Sequence, residues 1–256
     1  MTQNERLDYL VRYLAAERPG TVVPPDGGEK RALLRGLMNL RPPAPISPDW
    51  LRIQDEFLRE ESMARGVVDS SLLPAVPGDP RLVLWQGDIV RLRADAVVNA
   101  ANSALLGCFH PCHDCCDNVI HSAAGLQLRQ ACHELMEAQG REEPPGRAKL
   151  TPGFNLPAKY VLHTVGPIVD GPLRPSHRRA LADCYRACLA AAGAAGCRSV
   201  AFCCISTGVY RFPNRQAAEI AVSTVRETLR RISGIERVIF NVFKDTDLSI
   251  YQELLG

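Results

Sequence analysis

No stretch of the 256-residue chain approaches eighteen consecutive apolar residues, so a membrane-spanning helix is not expected. The N-terminus, MTQNERLDYL, has no basic segment followed by an apolar one, and a secretory signal is not expected either. Together these absences predict a cytoplasmic protein with no membrane partner. Net charge is small: the balance is +2, and no Lys/Arg block reaches the length of a nucleic-acid patch. No nucleic-acid partner is therefore expected, and any anionic ligand has to be met by local groups. Heptads, internal repeats and low-complexity runs are missing, which argues against a coiled coil. Cysteine is missing from the N-terminal leader and from the last fifty residues; all ten lie between Cys108 and Cys204. In a reducing compartment that distribution reads as metal binding plus small buried hydrophobes rather than a disulfide framework.

At 46% apolar, the chain can bury one substantial core and carry an appended segment. The expected division is a helical extension over 1–75 and a catalytic domain over 76–256. In the extension, Thr2-Gln-Asn-Glu5 reads as a capping box, after which Leu7, Leu10, Val11 and Leu14 recur on one helical face. Leu33, Leu37 and Leu40 mark a second helix from Glu29 to Leu40, stopped by Arg41-Pro-Pro-Ala-Pro45. Ser47-Pro48 opens a third, which carries Trp50, Ile53, Phe57 and Leu58. Each apolar stripe needs a partner, so the helices are expected to pack on the catalytic domain. Residues 66–80, rich in Pro and Gly, form the connector.

From Arg81 onward strands and helices alternate. Strands are expected at 82–85, 95–99, 160–164, 199–206 and 237–243, and helices at 117–136, 176–192, 214–232 and 245–254. Such alternation predicts an α/β fold with a mostly parallel sheet and helices on both faces. Ligands of such sheets bind at the carboxyl ends of the strands. Those ends carry Asn99–Cys115, Ser206–Pro213 and Phe243.

Chemistry concentrates in one stretch, VVNAANSALLGCFHPCHDCCDNVIHSAAG, from Val97 to Gly125. Apolar Ala96, Val97 and Val98 give way to Asn99-Ala-Ala-Asn102-Ser103, whose side chains favour turns. Next come Cys108, His110, Cys112, His113, Cys115 and Cys116, in a loop broken by Gly107 and Pro111. Thiolate and imidazole ligands gathered in this way suit zinc. Cys112-His-Asp-Cys115 is a CxxC, which alone is equally a redox pair or two core cysteines. No second, distant CxxC closes a four-ligand structural site, so three protein ligands with an open fourth position is the more economical reading. That is the arrangement of catalytic zinc. The spacing leaves open which of the six residues are the ligands.

WQGDIV at 85–90, VVNAANSALLG at 97–107, HTVGP at 163–167 and ISTGVYRFP at 205–213 resemble, in order and spacing, the ADP-ribose-binding macrodomain family. GCFxPxHxC from Gly107 to Cys115, followed by DNxIHxxAG from Asp117, resembles its zinc-dependent branch of protein-ADP-ribose hydrolases. The resemblance spans the chain, helical leader included. It implies a three-layer α/β/α macrodomain with a mixed, mostly parallel central sheet. It also implies Zn²⁺ as cofactor, held by Cys108, His113 and Cys115, with His110, Cys112 and Cys116 as bystanders. Asp88 and the Ile89 backbone would then meet adenine, and Phe243 would stack on it; a turn aspartate and a core phenylalanine are the plainer alternatives. Backbone N–H groups of Ser206, Thr207, Gly208, Val209 and Tyr210 would cradle the diphosphate. Asn99 and Asn102 would approach the distal ribose.

The implied activity is zinc-dependent removal of mono-ADP-ribose from modified proteins, by cleavage at the anomeric carbon of the distal ribose. Positioning and charge stabilisation are the main tasks in such a reaction. Asn102 and Asp117 are the catalytic candidates; Asp114 is a second carboxylate nearby, and a helix N-cap role would also explain Asp117. The expected partners are ADP-ribose and a mono-ADP-ribosylated protein. An ADP-ribose-binding module with structural zinc, or an O-acetyl-ADP-ribose deacetylase, would share the same pocket. His121 and His163 read as structural residues.

Overall fold

The computed structural model describes all 256 residues. Three helices come first: α1 (Gln3–Ala16), α2 (Gly27–Leu40) and α3 (Pro48–Arg65). The capping box forms as read, with the Thr2 hydroxyl accepting from the Glu5 amide and the Glu5 carboxylate accepting from the Thr2 amide. The connector is not featureless. It holds β1 (Val68–Asp69), which pairs in parallel with β3 (Leu92–Arg93) beyond β2 (Leu82–Gln86).

The remaining elements are β4 (Ala96–Ala101), α4 (Cys116–Ala124), α5 (Leu126–Gln139), β5 (Ala148–Pro152), β6 (Tyr160–Val165), α6 (Pro175–Ala194), β7 (Ser199–Phe202), α7 (Asn214–Leu229), β8 (Arg237–Val242) and α8 (Asp245–Leu255). The main sheet runs β2-β8-β7-β4-β6-β5, parallel except for β5. β4, β6, β7 and β8 are buried along nearly their whole length, as strands covered by helices on both faces must be. No helix is long and apolar enough to cross a membrane.

Four expectations change. The single helix expected over 117–136 is two helices. Gly125 turns the chain between them at φ +98°, and a side chain there would strike Gln54. Gln54 Oε1 instead accepts the Leu126 amide at 2.9 Å and caps the start of α5. The apolar run 199–206 is strand only as far as Phe202; it then turns, with the Cys204 carbonyl accepting from the amide and hydroxyl of Thr207. β4 runs two residues past Asn99. The antiparallel edge strand β5 was not expected at all, because its half-buried sequence AKLTP carries little apolar signal.

The leader packs on the α/β part, with α2 and α3 against α4. Its stripes close mainly on one another: Leu7, Leu10, Val11, Leu14, Leu34, Leu37, Met38, Trp50, Ile53 and Phe57 form a cluster of their own, to which the α/β part contributes Leu126. The larger core, under the sheet and its flanking helices, is separate. Polar contacts also tie the leader to the rest of the molecule, through Arg35, Asn39 and Gln54.

Candidate active site

β4 and β7 pair only at Ala96↔Val200 and Val97↔Ala201, while β4 continues to Ala101. Beyond Val97 the two strands form no further pairs, at the carboxyl ends where an open α/β sheet has its ligand crevice. The chain also reverses its direction across the sheet at this point, since β6 lies on one side of β4 and β7 on the other. A parallel sheet offers a ligand site at such a reversal.

The cysteine-histidine loop forms one wall. Of the six candidate ligands, Cys108, His113 and Cys115 bring their ligating atoms within 4.8 Å of one another. Cys108 Sγ is 3.8 Å from His113 Nδ1. The other three do not join them. Cys112 turns its thiol to the Ala32 carbonyl at 3.3 Å, His110 is exposed beside the Pro111 carbonyl, and Cys116 packs against the main core. Burial, with the neighbouring Cys108 and Asp117 adding to it, pushes the Cys115 thiol up to about 12 against the bond from the Asn118 amide. Two thiols and an imidazole facing one another in this way form a donor set suited to a thiophilic cation, which would ionise the thiols and take the imidazole in its neutral form. All ten cysteines are free.

Beneath the loop lies Asp117. It is not a helix cap: Cys115 occupies that position, and its Sγ accepts from the Asn118 amide. Asp117 instead points inward, 5% exposed, with Oδ1 accepting from Asn99 Nδ2 at 2.8 Å and Oδ2 from Asn102 Nδ2 at 3.3 Å. Burial raises its pKa to about 6, against the Asn99 hydrogen bond and the Arg129 charge. Asn99, expected to meet ligand, is fully buried; its Nδ2 lies against Asp117 and His163 and props the carboxylate, while its Oδ1 has no partner in the protein. Asn102 is half-buried and also donates to the Gly107 carbonyl at 3.0 Å. Asp114 extends into solvent, 95% exposed. His163 is buried among Thr151, Asn99 and Cys132. His121 lies 3.5 Å from Asp117 Oδ1 without forming a hydrogen bond.

The opposite wall is the loop after β7. Ser206 adopts φ +67° and Arg211 φ +56°, folding the loop back so that the Phe212 amide reaches the Ser206 carbonyl at 3.0 Å and the Arg211 amide the Gly208 carbonyl at 3.0 Å. The amides of Ser206, Gly208, Val209 and Tyr210 have no acceptor in the protein, whereas the Thr207 amide is spent on Cys204. A run of free N–H groups of this kind is an anion cradle. A Cβ at Gly208 would meet nothing, but one at Gly166, in the facing loop after β6, would lie 2.0 Å from Ser206 Oγ; the close approach requires glycine. Ile89 is buried, and Asp88 caps the turn that holds it, accepting from the Val90 amide at 3.2 Å. Arg65, at the end of α3, stands 3.8 Å from Asp88. Phe243 is 74% exposed at the end of β8, so it is not a core residue.

Sequence reasoning missed four residues around the metal loop: Arg35, Asn39, Asn118 and Arg129. Asn118 was legible as half of the DN pair, but the other three come from helices without any local motif.

The macro domain family model matches residues 98–221. A protein-ADP-ribose hydrolase of Treponema medium is 48% identical over the whole of both chains. The chain belongs to the macrodomain family. A Staphylococcus aureus protein-ADP-ribose hydrolase is 46% identical, over 98% of this macrodomain and 95% of that relative. Among solved structures, the Trypanosoma brucei macrodomain in complex with ADP-ribose superposes with a TM-score of 0.67 at 31% identity, covering 86% of this chain and 95% of that one. The Oceanobacillus iheyensis macrodomain with ADP gives 0.61 at 38%, covering 69% and 90%. The helical leader of this macrodomain is thus shared with the Treponema relative.

Proposed function

We propose that this macrodomain is a zinc-dependent hydrolase that releases mono-ADP-ribose from modified proteins. The observation that carries the reading is the convergence of Cys108, His113 and Cys115 beside Asn102 and Asp117, across the crevice from the free amides of 206–210. Relatives named protein-ADP-ribose hydrolase at 46–48% identity support the reaction class.

In this reading adenine lies against Asp88, Ile89 and Phe243. The diphosphate takes the amides of Ser206, Gly208, Val209 and Tyr210, with Thr207 shaping the loop. The distal ribose faces Asn102, Asp117 and the metal loop. A bound Zn²⁺ would supply Lewis-acid polarisation and a water of lowered pKa. Asn99 and Asn102 hold Asp117 in one orientation, and its raised pKa lets the carboxylate take up a proton at near-neutral pH. The bond from the anomeric carbon to the acceptor side chain breaks, the water oxygen bonds to that carbon, and the acceptor leaves protonated. The free thiols suit a reducing compartment, and we assign the reaction to the cytoplasm on that ground.

The test pairs metal analysis with release of ADP-ribose from a mono-ADP-ribosylated protein, for wild type, Cys108→Ser and Cys115→Ala. About one zinc per chain is expected. Both variants should lose metal and lower release by two orders of magnitude or more, because a ligand matters more than an outer-shell partner worth roughly 10–100-fold. Normal release without metal would overturn the zinc assignment. Tight ADP-ribose binding with no release, from protein or from O-acetyl-ADP-ribose, would leave a binding module.

A further inference from the structure

The metal loop has little to hold it. Residues 106–115 contain no helix or strand, and among their own backbone groups the one hydrogen bond is a 3.3 Å contact from the His113 amide to the His110 carbonyl. Gly107 and Cys112 both sit at positive φ. Left to itself, such a segment would not keep three ligands converged, since ordering a backbone residue costs about 1–2 kcal/mol.

Beyond Asn102 at its start and the α4 and α5 side chains, contacts that fix it come from α2, more than seventy residues earlier. The Arg35 guanidinium donates to the His113 carbonyl at 2.7 Å and to Asn118 Oδ1 at 3.0 Å. Asn118, fully buried, passes this on: its Nδ2 donates to the carbonyls of Cys108 and His110, and its amide donates to Cys115 Sγ. Asn39, 1% exposed, accepts the Cys112 amide at 2.9 Å and donates to Ser122. Arg129 closes the far end, donating to the carbonyls of Met38 and Asn39 in α2, of Arg41 just past its end, and of Leu106 at the loop's start. Its guanidinium also lies 4.4 Å over the Phe109 ring. Each of the three converging residues is thus reached by Arg35, directly or through Asn118.

We propose that α2 is a splint for the metal loop, with Arg35 and Asn39 as positioning residues that hold Cys108, His113 and Cys115 in ligating geometry. The inference rests on the zinc reading above. It also gives the leader a role beyond bulk stability, because its apolar faces are mostly spent on one another and its polar side chains reach this loop.

The experiment compares Arg35→Ala, Asn39→Ala and Asn39→Asp with Asp55→Ala in the full chain. Asp55 lies on α3 and accepts from Gln127 and Asn155, away from the loop, so its loss weakens leader docking without touching the ligands. The readouts are transfer of zinc to a chromogenic chelator, the visible spectrum of the cobalt-substituted protein, and amide exchange of residues 108–116 in metal-free protein. Arg35→Ala and Asn39→Ala are expected to release zinc roughly 10–100-fold faster, the usual outer-shell effect, with an altered cobalt spectrum and faster loop exchange. Asn39→Asp keeps the acceptor for Cys112 and is expected to recover most of the loss. Asp55→Ala is expected to stay near wild type. Wild-type zinc release in both Ala variants, or equally fast release in Asp55→Ala, overturns the proposal. If wild type binds no zinc, the zinc reading falls, and loop exchange alone decides: faster in Arg35→Ala upholds the splint, unchanged overturns it.

Discussion

The two walls of the crevice are built in opposite ways. The phosphate-side loop, 204–212, is closed mainly by its own backbone: Ser206 to Phe212, Gly208 to Arg211 and Cys204 to Thr207 are all bonds within nine residues, with one outside backbone bond, from the Val169 amide to the Tyr210 carbonyl at 2.9 Å. The metal-side loop is closed by Arg35, Asn39 and Arg129, side chains that lie outside it and, for two of the three, outside the α/β part. A self-closed loop is a local property of its sequence. A loop held from elsewhere depends on tertiary structure forming first, and it can be disturbed without being touched.

The largest expected effect comes from Trp50, fully buried in the leader's separate cluster. Trp50→Ala is expected to cost about 3–5 kcal/mol in stability of the leader. Zinc retention should fall with it, while ADP-ribose affinity measured calorimetrically should hardly move. An equal loss of both would erase the distinction between the walls.

Gly166→Ala attacks the other wall. With its new Cβ 2.0 Å from Ser206 Oγ, it should cost about 3 kcal/mol by overpacking and abolish nucleotide binding, yet leave zinc content intact. Retained ADP-ribose affinity would mean that the loop yields where the packing says it cannot.

Acid should act on the metal side. Burial holds His163 at about 3 and His121 well below its ordinary value, the latter with His163 and Arg129 adding to the effect. His163 faces Asn99, Cys132 and Thr151; His121 faces Asp117, Arg129 and the Gly107 backbone. The unfolded chain binds protons below the usual histidine pKa and the folded one does not. The histidine contribution is therefore complete above about pH 6.5 and falls as pH drops toward 3, by about 2 kcal/mol at pH 5 for His163 alone, offset in part by Asp117, whose pKa raised to about 6 adds stability as it takes up its proton. Denaturant titrations of metal-free protein at pH 7.5 and 5 check this, and His163→Gln should flatten the slope. A pH-independent midpoint would rule it out.

The smallest effect sharpens the view of the self-closed loop. Arg211 is exposed at φ +56°, where a side chain is strained. Arg211→Gly should stabilise by about 0.5 kcal/mol, strain relief of roughly 1–2 kcal/mol being partly offset by glycine's entropy in the unfolded chain. A melting temperature that falls would place the strain elsewhere.

Much of the fold is legible in the sequence. The capping box at Thr2 and Glu5, the stop at Arg41-Pro-Pro and the parallel strands all follow from nearest-neighbour chemistry. The break at Gly125 did not, because the residue that stabilises it, Gln54, comes from another helix. Sequence spacing leaves Asp117 open between a catalytic carboxylate and a helix cap, because it reports which groups are near and not which way a buried side chain turns; the structure removes the cap role.

The sequence by itself determined the alternation of strands and helices, the glycine and asparagine turns at their ends, and a pool of six thiol and imidazole donors in one loop. Those depend on backbone geometry and on apolar period, which act over a few residues. Only the tertiary structure decided that three of the six donors converge, that Asn99 supports Asp117 from below, and that a leader helix braces the loop. Each of those depends on hydrogen bonds between groups far apart in the chain, whose partners exist only once the helices have packed.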